Sequence, residues 1–314
     1  MVKRFAILVV LLLLFSLVLV SLLQIEIAKA EEETIYIRAD GTVKGTDKIQ
    51  RVGNIFTFTD DISTGRYTGA IELDVDGLII ERDNIVVDGA GYALQAVFPT
   101  IDAGAGIILS GRSNVTLKNI QIKDYATGIH FVNSSNCKIQ GNNIDTVFGI
   151  SIRNSSSNII TGNRMTDGTS ESWYGMSFYH SSDNVISGNN ITNNSYYGVW
   201  LENSSNNIFF QNNFLNNSIQ IGVEGSINVW DDDVSGNYWG DYKGTDGDED
   251  GIGDTPYVID ENNQDNYPLM NPVDITTIPE FPSWTILPIF TIATLLIIIC
   301  KQKLPKNRQP RQSY

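Results

Sequence analysis

Cysteine, histidine and positive charge are all scarce in this 314-residue chain, and each shortage excludes something. Two cysteines, Cys137 and Cys300, cannot build the disulfide framework of a small secreted scaffold. With 21 Lys and Arg against 36 Asp and Glu, the net charge is −15, which repels nucleic acid and favours solvation, cations or high salt. Helical periodicity is missing as well. No i, i+3, i+4, i+7 pattern of apolar residues survives between residues 84 and 242, so helical solenoids and bundles are excluded there.

Long hydrophobic runs occur only at the two ends. Met1-Val-Lys-Arg, the apolar run from Phe5 to Leu23 and the small residues Ala28-Lys-Ala30 read as a signal peptide over residues 1–30. The second run, from about Phe281 to Cys300, precedes Lys301, Lys303, Lys306, Arg308 and Arg311. A transmembrane helix over 284–300 with a basic cytoplasmic tail over 301–314 follows from the positive-inside rule. The chain is expected at the cell surface, held at its C-terminus. Three of the basic residues precede residue 31 and five follow residue 300, so the exterior part keeps thirteen basic against thirty-five acidic residues, a balance of −22.

What the middle has in abundance is repetition. Five segments open with glycine and an apolar residue: Gly106-Ile-Ile-Leu, Gly128-Ile-His-Phe, Gly149-Ile-Ser-Ile, Gly175-Met-Ser-Phe and Gly198-Val-Trp-Leu. The glycines lie 22, 21, 26 and 23 residues apart, a period at which each unit is too small to bury its own core. Each opening is followed by a polar turn such as Asn133-Ser-Ser or Asn154-Ser-Ser, then a short apolar stretch ending in Gly-Asn or Gln-Asn. Runs of Ile, Val, Phe and Met separated by Asn, Ser and Gly are strands and turns. The fold expected is all-β: a right-handed parallel β-helix over 106–229, with an N-terminal cap and first coils over 31–105 and a C-terminal cap over 230–272.

Alternation along each strand then sorts the side chains. One inward column holds Ile107, Ile129, Ile150, Met176 and Val199, and another holds Leu109, Phe131, Ile152, Phe178 and Leu201. A turn column of Asn114, Cys137, Asn158, Asn184 and Asn207 is expected to form an inner asparagine ladder, with Asn114 inaccessible. The outward columns read Ile108, His130, Ser151, Ser177, Trp200 and Ser110, Val132, Arg153, Tyr179, Glu202. Trp200, Tyr179, Arg153, Glu202 and His130 are therefore the candidate carbohydrate-binding strip, with Phe148, Tyr174 and Tyr197 stacked in a neighbouring column. Mutual packing of these aromatics is the alternative.

After the repeats, Trp230, Tyr238, Trp239 and Tyr242 are expected to lie across the last coil. The loop from Asp246 to Asp254 places Asp246, Asp248, Asp250, the Ile252 carbonyl and Asp254 at positions 1, 3, 5, 7 and 9, with Gly251 at 6. Hard oxygen ligands at this spacing suit calcium. Tyr257 stands at position 12 in place of an acid, so a solvated acidic turn is the competing reading.

The Gly-Ile-x-Phe/Leu, Asn-Ser-Ser-x-Asn and Gly-Asn-x-Ile pattern resembles the parallel β-helix repeats of the NosD-like and CASH (carbohydrate-binding and sugar-hydrolase) superfamily. The ending GNYWGDY…DGDEDGIGDTPYVID…DNYPLMNP is similar to that of archaeal surface members. Ile278-Pro-Glu-Phe-Pro-Ser-Trp284, within the linker and sorting motif over 273–283, resembles a PEF-type sorting signal. The resemblance implies a β-helix but no single activity, since this scaffold hosts lyases, hydrolases, epimerases and passive binders.

The acids in the coils are sparse: Asp124 and Asp167 occupy equivalent places two coils apart, Asp145 is one residue out of register, and no base accompanies them at a fixed offset. A non-catalytic surface protein that binds carbohydrate or serves a structural or adhesive role in the envelope, with surface glycans or envelope proteins as partners, is therefore expected, with a polysaccharide hydrolase, lyase or epimerase as the alternative. Copper, which the family name suggests, finds few soft ligands: Met165, Met176 and Cys137 belong to the interior, and His130 and His180 sit in different columns. Seven Asn-x-Ser/Thr sites, at Asn114, Asn133, Asn154, Asn190, Asn193, Asn203 and Asn216, are candidate glycan sites in an exported protein, Asn114 being excluded as an inaccessible rung and the rest also serving turn chemistry.

Overall fold

In the computed structural model, residues 34–67, 72–73, 75–97, 104–166 and 173–275 are described. The signal segment, Asp167, most of the linker with its sorting motif, the transmembrane segment and the basic tail lie outside them. Among the described residues no helix is long and apolar enough to cross a membrane.

Each coil uses three short strands separated by polar turns, such as Ala105–Ser110, Val115–Lys118 and Gln121–Lys123. Equivalent strands of successive coils pair in parallel, producing one nine-stranded and two eight-stranded sheets. The chain is an all-β parallel solenoid of about six turns. In the first sheet Ile107, Ile129, Ile150, Met176 and Val199 are in register, as are Leu109, Phe131, Ile152, Phe178 and Leu201. All ten are buried. Like stacks on like, so each coil presents the surface that its neighbour needs.

The repeat glycines have a packing reason. A Cβ on Gly175 would sit 2.7 Å from both the Gly198 carbonyl oxygen and the Ile191 side chain, so no larger residue fits where the third sheet turns into the first. The polar turns have a conformational one. Gly111, Asn133, Asn154, His180, Asn203 and Gly225 occupy one column with φ between 48° and 64°, the left-handed region that Gly and Asn tolerate best.

Three interior ladders cross-link the coils. Asn158, Asn184 and Asn207 each donate from Nδ2 to the Oδ1 of the next rung, ending on Asn228, at 2.9–3.0 Å. Cys137 sits at the foot, its backbone N–H donating to Asn158 Oδ1. Asn114 is not a rung: Thr116 pairs with Lys138, which places Val115 beside Cys137 and Asn114 beside Asn136. Asn114 is exposed, with φ 53°, and bonds to Asn84. The expected column was one residue out at its first member, because valine takes the interior place before the asparagines begin. A second asparagine ladder runs through Asn142, Asn163, Asn189, Asn212 and Asn237. A serine ladder runs through Ser134, Ser155, Ser181, Ser204 and Ser226. These rungs satisfy turn amides that would otherwise be buried without partners.

Stacking begins well before the glycine period, since Ile35–Ile37 pairs with Leu78–Ile80, which pairs with the strand at Ala105. Antiparallel pairing of Ile49–Val52 with Ile55–Phe58 ends the second sheet at the N-terminus. At the other end Trp230 stacks on Phe209 and Trp239 on Phe214, both at 4.5 Å between ring centroids. The cap also terminates two ladders: Asn263 Oδ1 accepts from the Asn228 backbone and Trp230 Nε1, and Asp265 Oδ2 accepts from the Asn237 backbone and Trp239 Nε1. Asp265 is fully buried, and its burial pushes the carboxyl up to about 6 despite those hydrogen bonds.

Candidate functional site

The outer face of the first sheet carries the candidate site. Along one outward column the residues run Ile108, His130, Ser151, Ser177, Trp200, Gly222. Two small serines between two bulky rings leave a notch two strands wide, about 10 Å along the axis at the usual interstrand spacing. The resulting cleft has a volume of about 150 Å³.

Ser151 and Ser177 lie at the bottom of this notch, only 7% and 5% exposed. One wall is Phe148 and Tyr174, with Thr127 at its foot; the other is Arg153 and Tyr179. The first wall continues as a ladder, Phe148 to Tyr174 to Tyr197, with 5.8 Å between successive centroids and planes 19° and 12° apart. Trp173 and Tyr196 flank it, and both are nearly half exposed. On the second wall the Arg153 guanidinium lies 5.0 Å from the centre of the Tyr179 ring, a cation–π contact that holds a long side chain in one place. Burial raises the Tyr174 and Tyr179 hydroxyls above their ordinary value, so both stay neutral donors at physiological pH.

His130 closes one end of the cleft. Burial first, and the Arg153 charge second, hold its imidazole below the usual value, so it is neutral. Its Nε2 is shut off from solvent and has no hydrogen-bond partner.

The strip expected from the sequence is therefore divided. His130, Arg153 and Tyr179 come together, whereas Trp200 and Glu202 stand one coil further on and do not line the cleft. Trp200 leans on Tyr197, 5.0 Å between centroids, and covers Gly222. Ser151 and Ser177 were legible as column members; their role as a floor depends on their size relative to His130 and Trp200. Asp145 ends the strand paired with Gln121–Lys123, Asp124 lies in the turn after that strand, and neither lines the cleft.

A second cluster lies in the cap. The carboxylates of Asp246, Asp248 and Asp250 offer oxygens within 4.8 Å of one another, a spacing that one cation could bridge. The loop is organised around them: Asp246 accepts from the backbone of Asp250 and Gly251, and Asp250 from Ile252. Gly251 has φ 90°, which the sharp turn requires. Asp254 turns its carboxylate to the Gly247 backbone at 2.9 Å and stands outside the three-acid group.

Among the described residues the soft donors do not converge on one place. Cys137, Met165 and Met176 are 0–1% exposed in the hydrophobic core, Met270 is in the cap, and His180 occupies a turn column away from His130. No two of them line the cleft.

Comparison with known proteins places this architecture. The full-length tailspike protein 2 of Escherichia coli O157:H7 bacteriophage CAB120 is 17% identical, with 55% of this chain and 26% of that chain covered and a TM-score of 0.32. The chain thus spans about a quarter of that tailspike's length. The periplasmic alginate epimerase AlgG is 12% identical over 60% of this chain and 71% of that one, with a TM-score of 0.27. No curated protein matches the chain. The family model for the periplasmic copper-binding protein (NosD) matches residues 82–244, just over half of the chain, so this protein belongs to the NosD family of parallel β-helix proteins.

Proposed function

We propose that this chain is an exported, cell-surface β-helix protein that binds carbohydrate in the outer cleft of its first sheet without turning it over. The observation that carries this reading is the cleft closed at one end by His130, floored by Ser151 and Ser177 and walled by aromatic rings and Arg153. A pocket with apolar walls, a few hydroxyls and a fixed guanidinium matches the mixed surface of a sugar ring. Binding rather than turnover is supported by the lining, which has no carboxylate pair, and by His130 Nε2, which no substrate proton reaches while it stays buried. A glycan array probed with the full chain in a non-glycoside detergent tests the reading. Capture of a defined glycan set, lost on Ser177→Phe, is the expected outcome; capture that survives Ser177→Phe would place the site elsewhere.

The same proposal covers the rest of the chain. The coil is right-handed, the sense in which parallel crossovers are almost always built. Residues 1–30 direct export and 284–300 anchor the protein, which leaves the solenoid outside. Asp246, Asp248, Asp250 and the Ile252 carbonyl bind calcium weakly, with a Kd on the order of 0.1–1 mM, while Asp254 stays on the Gly247 backbone. Ten millimolar calcium should then stabilise the fold by about 1–3 kcal/mol. Calorimetry showing neither heat nor a shift in Tm, or an unchanged response in Asp248→Ala, would leave a solvated acidic loop.

A further inference from the structure

One cation is set apart by its place in the cleft, not by lacking an ion pair, since Arg51, Arg82 and Arg164 also form none among the described residues. Carboxylates greatly outnumber basic groups outside the predicted signal and tail, so a surface arginine has many acids available. Arg38, Arg112 and Lys118 use them, pairing with Glu81 at 2.7 Å, Asp83 at 3.3 Å and Asp88 at 2.9 Å. Arg153 does not. Among the described residues it forms no ion pair, and its only fixed contact is the face of Tyr179.

Its column explains why. The residues in register with Arg153 on the two adjoining strands are Val132 and Tyr179, an aliphatic chain and a ring, and Glu202 comes only two coils away. On the cleft side it meets Ser151, Ser177 and neutral rings, and no carboxylate lines that cavity. The aromatic contact positions the guanidinium while leaving its in-plane N–H groups unspent. A planar fork of donors held in this way matches a planar carboxylate, which it binds through two parallel hydrogen bonds. The cleft is thus a positively charged pocket on an acidic protein, where the long-range field repels anions and only a directly paired one is retained.

We propose that the ligand of the cleft is an acidic saccharide, a sugar residue whose carboxylate pairs with Arg153 while its ring lies between the Phe148–Tyr174 wall and Tyr179. This rests on the carbohydrate reading of the same cleft and adds the ligand's charge. A single uronic acid unit suits a space of about 150 Å³. The general negative charge of the protein also predicts that weak binding of long polyanions elsewhere on the surface is disfavoured, so the preference is local to Arg153.

The test pairs each of a set of oligouronates with its own carboxyl methyl ester, which keeps the sugar and removes the charge. Binding is measured by titration calorimetry on the full chain in a non-glycoside detergent. The acid form should bind at least tenfold more tightly than the ester. Arg153→Gln should bring the two to within about twofold of each other with Tm unchanged, because the side chain is exposed. Arg153→Lys should retain only part of the preference, since an ammonium keeps the charge but not the fork. Equal binding of acid and ester by the parent protein, or a preference that persists in Arg153→Gln, would overturn the acidic ligand while leaving a neutral-sugar site standing. Binding of neither form, with no neutral oligosaccharide bound, would overturn both the ligand and the carbohydrate reading.

Discussion

The inner and outer faces of the first sheet are made by alternate residues of the same strands, yet they follow opposite rules. Inside, Leu109, Phe131, Ile152, Phe178 and Leu201 are all apolar, all buried and all in register. Outside, the adjacent column runs from Ile108 through His130, two serines and Trp200 to Gly222, with no two chemistries alike except the serine pair. An inward residue must satisfy the coil above and the coil below, so the repeat dictates it. An outward residue meets solvent, which imposes no size or polarity. Freedom of size on that face is what makes a cleft possible, because a notch is only a small residue between large ones.

Breaking the inner face should therefore have the largest effect. Phe178→Asp places an unpaired charge in a stack where Phe178 also meets Phe209 edge-on at 6.0 Å. A loss of roughly 5 kcal/mol or more is expected, which denaturant unfolding would register as a collapsed transition. A variant with the parent midpoint would overthrow the register.

Next comes the ladder that the inner face encloses. Asn184→Ala leaves the Asn158 backbone N–H and side-chain amide without the Oδ1 they share, and strips a donor from the Ser155 carbonyl. Two buried donors without an acceptor cost about 4 kcal/mol together. A cost below about 1 kcal/mol would mean that water replaces the rung.

Asp265 sharpens the comparison from the cap, where an acid takes the place at which the second ladder ends. Its folded value is about 6 against 3.8 for the ordinary carboxyl. Because the folded value is the raised one, the stability contributed by the protonated acid is complete below about pH 3.8 and is lost as pH rises to about 6. The difference corresponds to roughly 3 kcal/mol. Melting temperatures should fall across that window and level off above it. Asp265→Asn, which keeps the size and one acceptor oxygen, should flatten the profile; an unaltered slope would assign the pH dependence to other acids.

The smallest stability effect belongs to the outer face. Ser177 is 5% exposed but opens onto the cleft, so Ser177→Phe places its ring in that space and should cost no more than about 1–3 kcal/mol. A large loss of stability would mean that the serine floor is part of the structural core.

How much was legible follows the same division. The glycine period, both inward columns and the outward columns were readable residue by residue, since a parallel stack converts sequence spacing directly into contact. The ladder was readable from Asn158 to Asn207, but not at Asn114, where a one-residue slip in the turn went unmarked because Val115 leaves no polar signature. The second ladder through Asn142 and Asn163 was visible as Gly-Asn pairs and not recognised as a ladder, as the left-handed glycine and the buried asparagine play separate roles. The cleft itself was only half legible. The pattern singles out His130, Arg153 and Tyr179, whereas it lays Trp200 flat beside them and the ring instead folds over Gly222. Pattern gives the column and not the rotamer, and it is the rotamer of Trp200 that separates a strip from a notch.

The central claim is that the freedom of the outer face has been used to build a carbohydrate site, and a single paired measurement tests it most directly. Parent protein and Ser177→Phe are applied to the same glycan array at equal concentration, with their melting temperatures recorded alongside. The account predicts that the parent captures a defined set of glycans and that Ser177→Phe captures none of them while still melting cooperatively. Equal capture by the two proteins, or no capture by the parent, would contradict it.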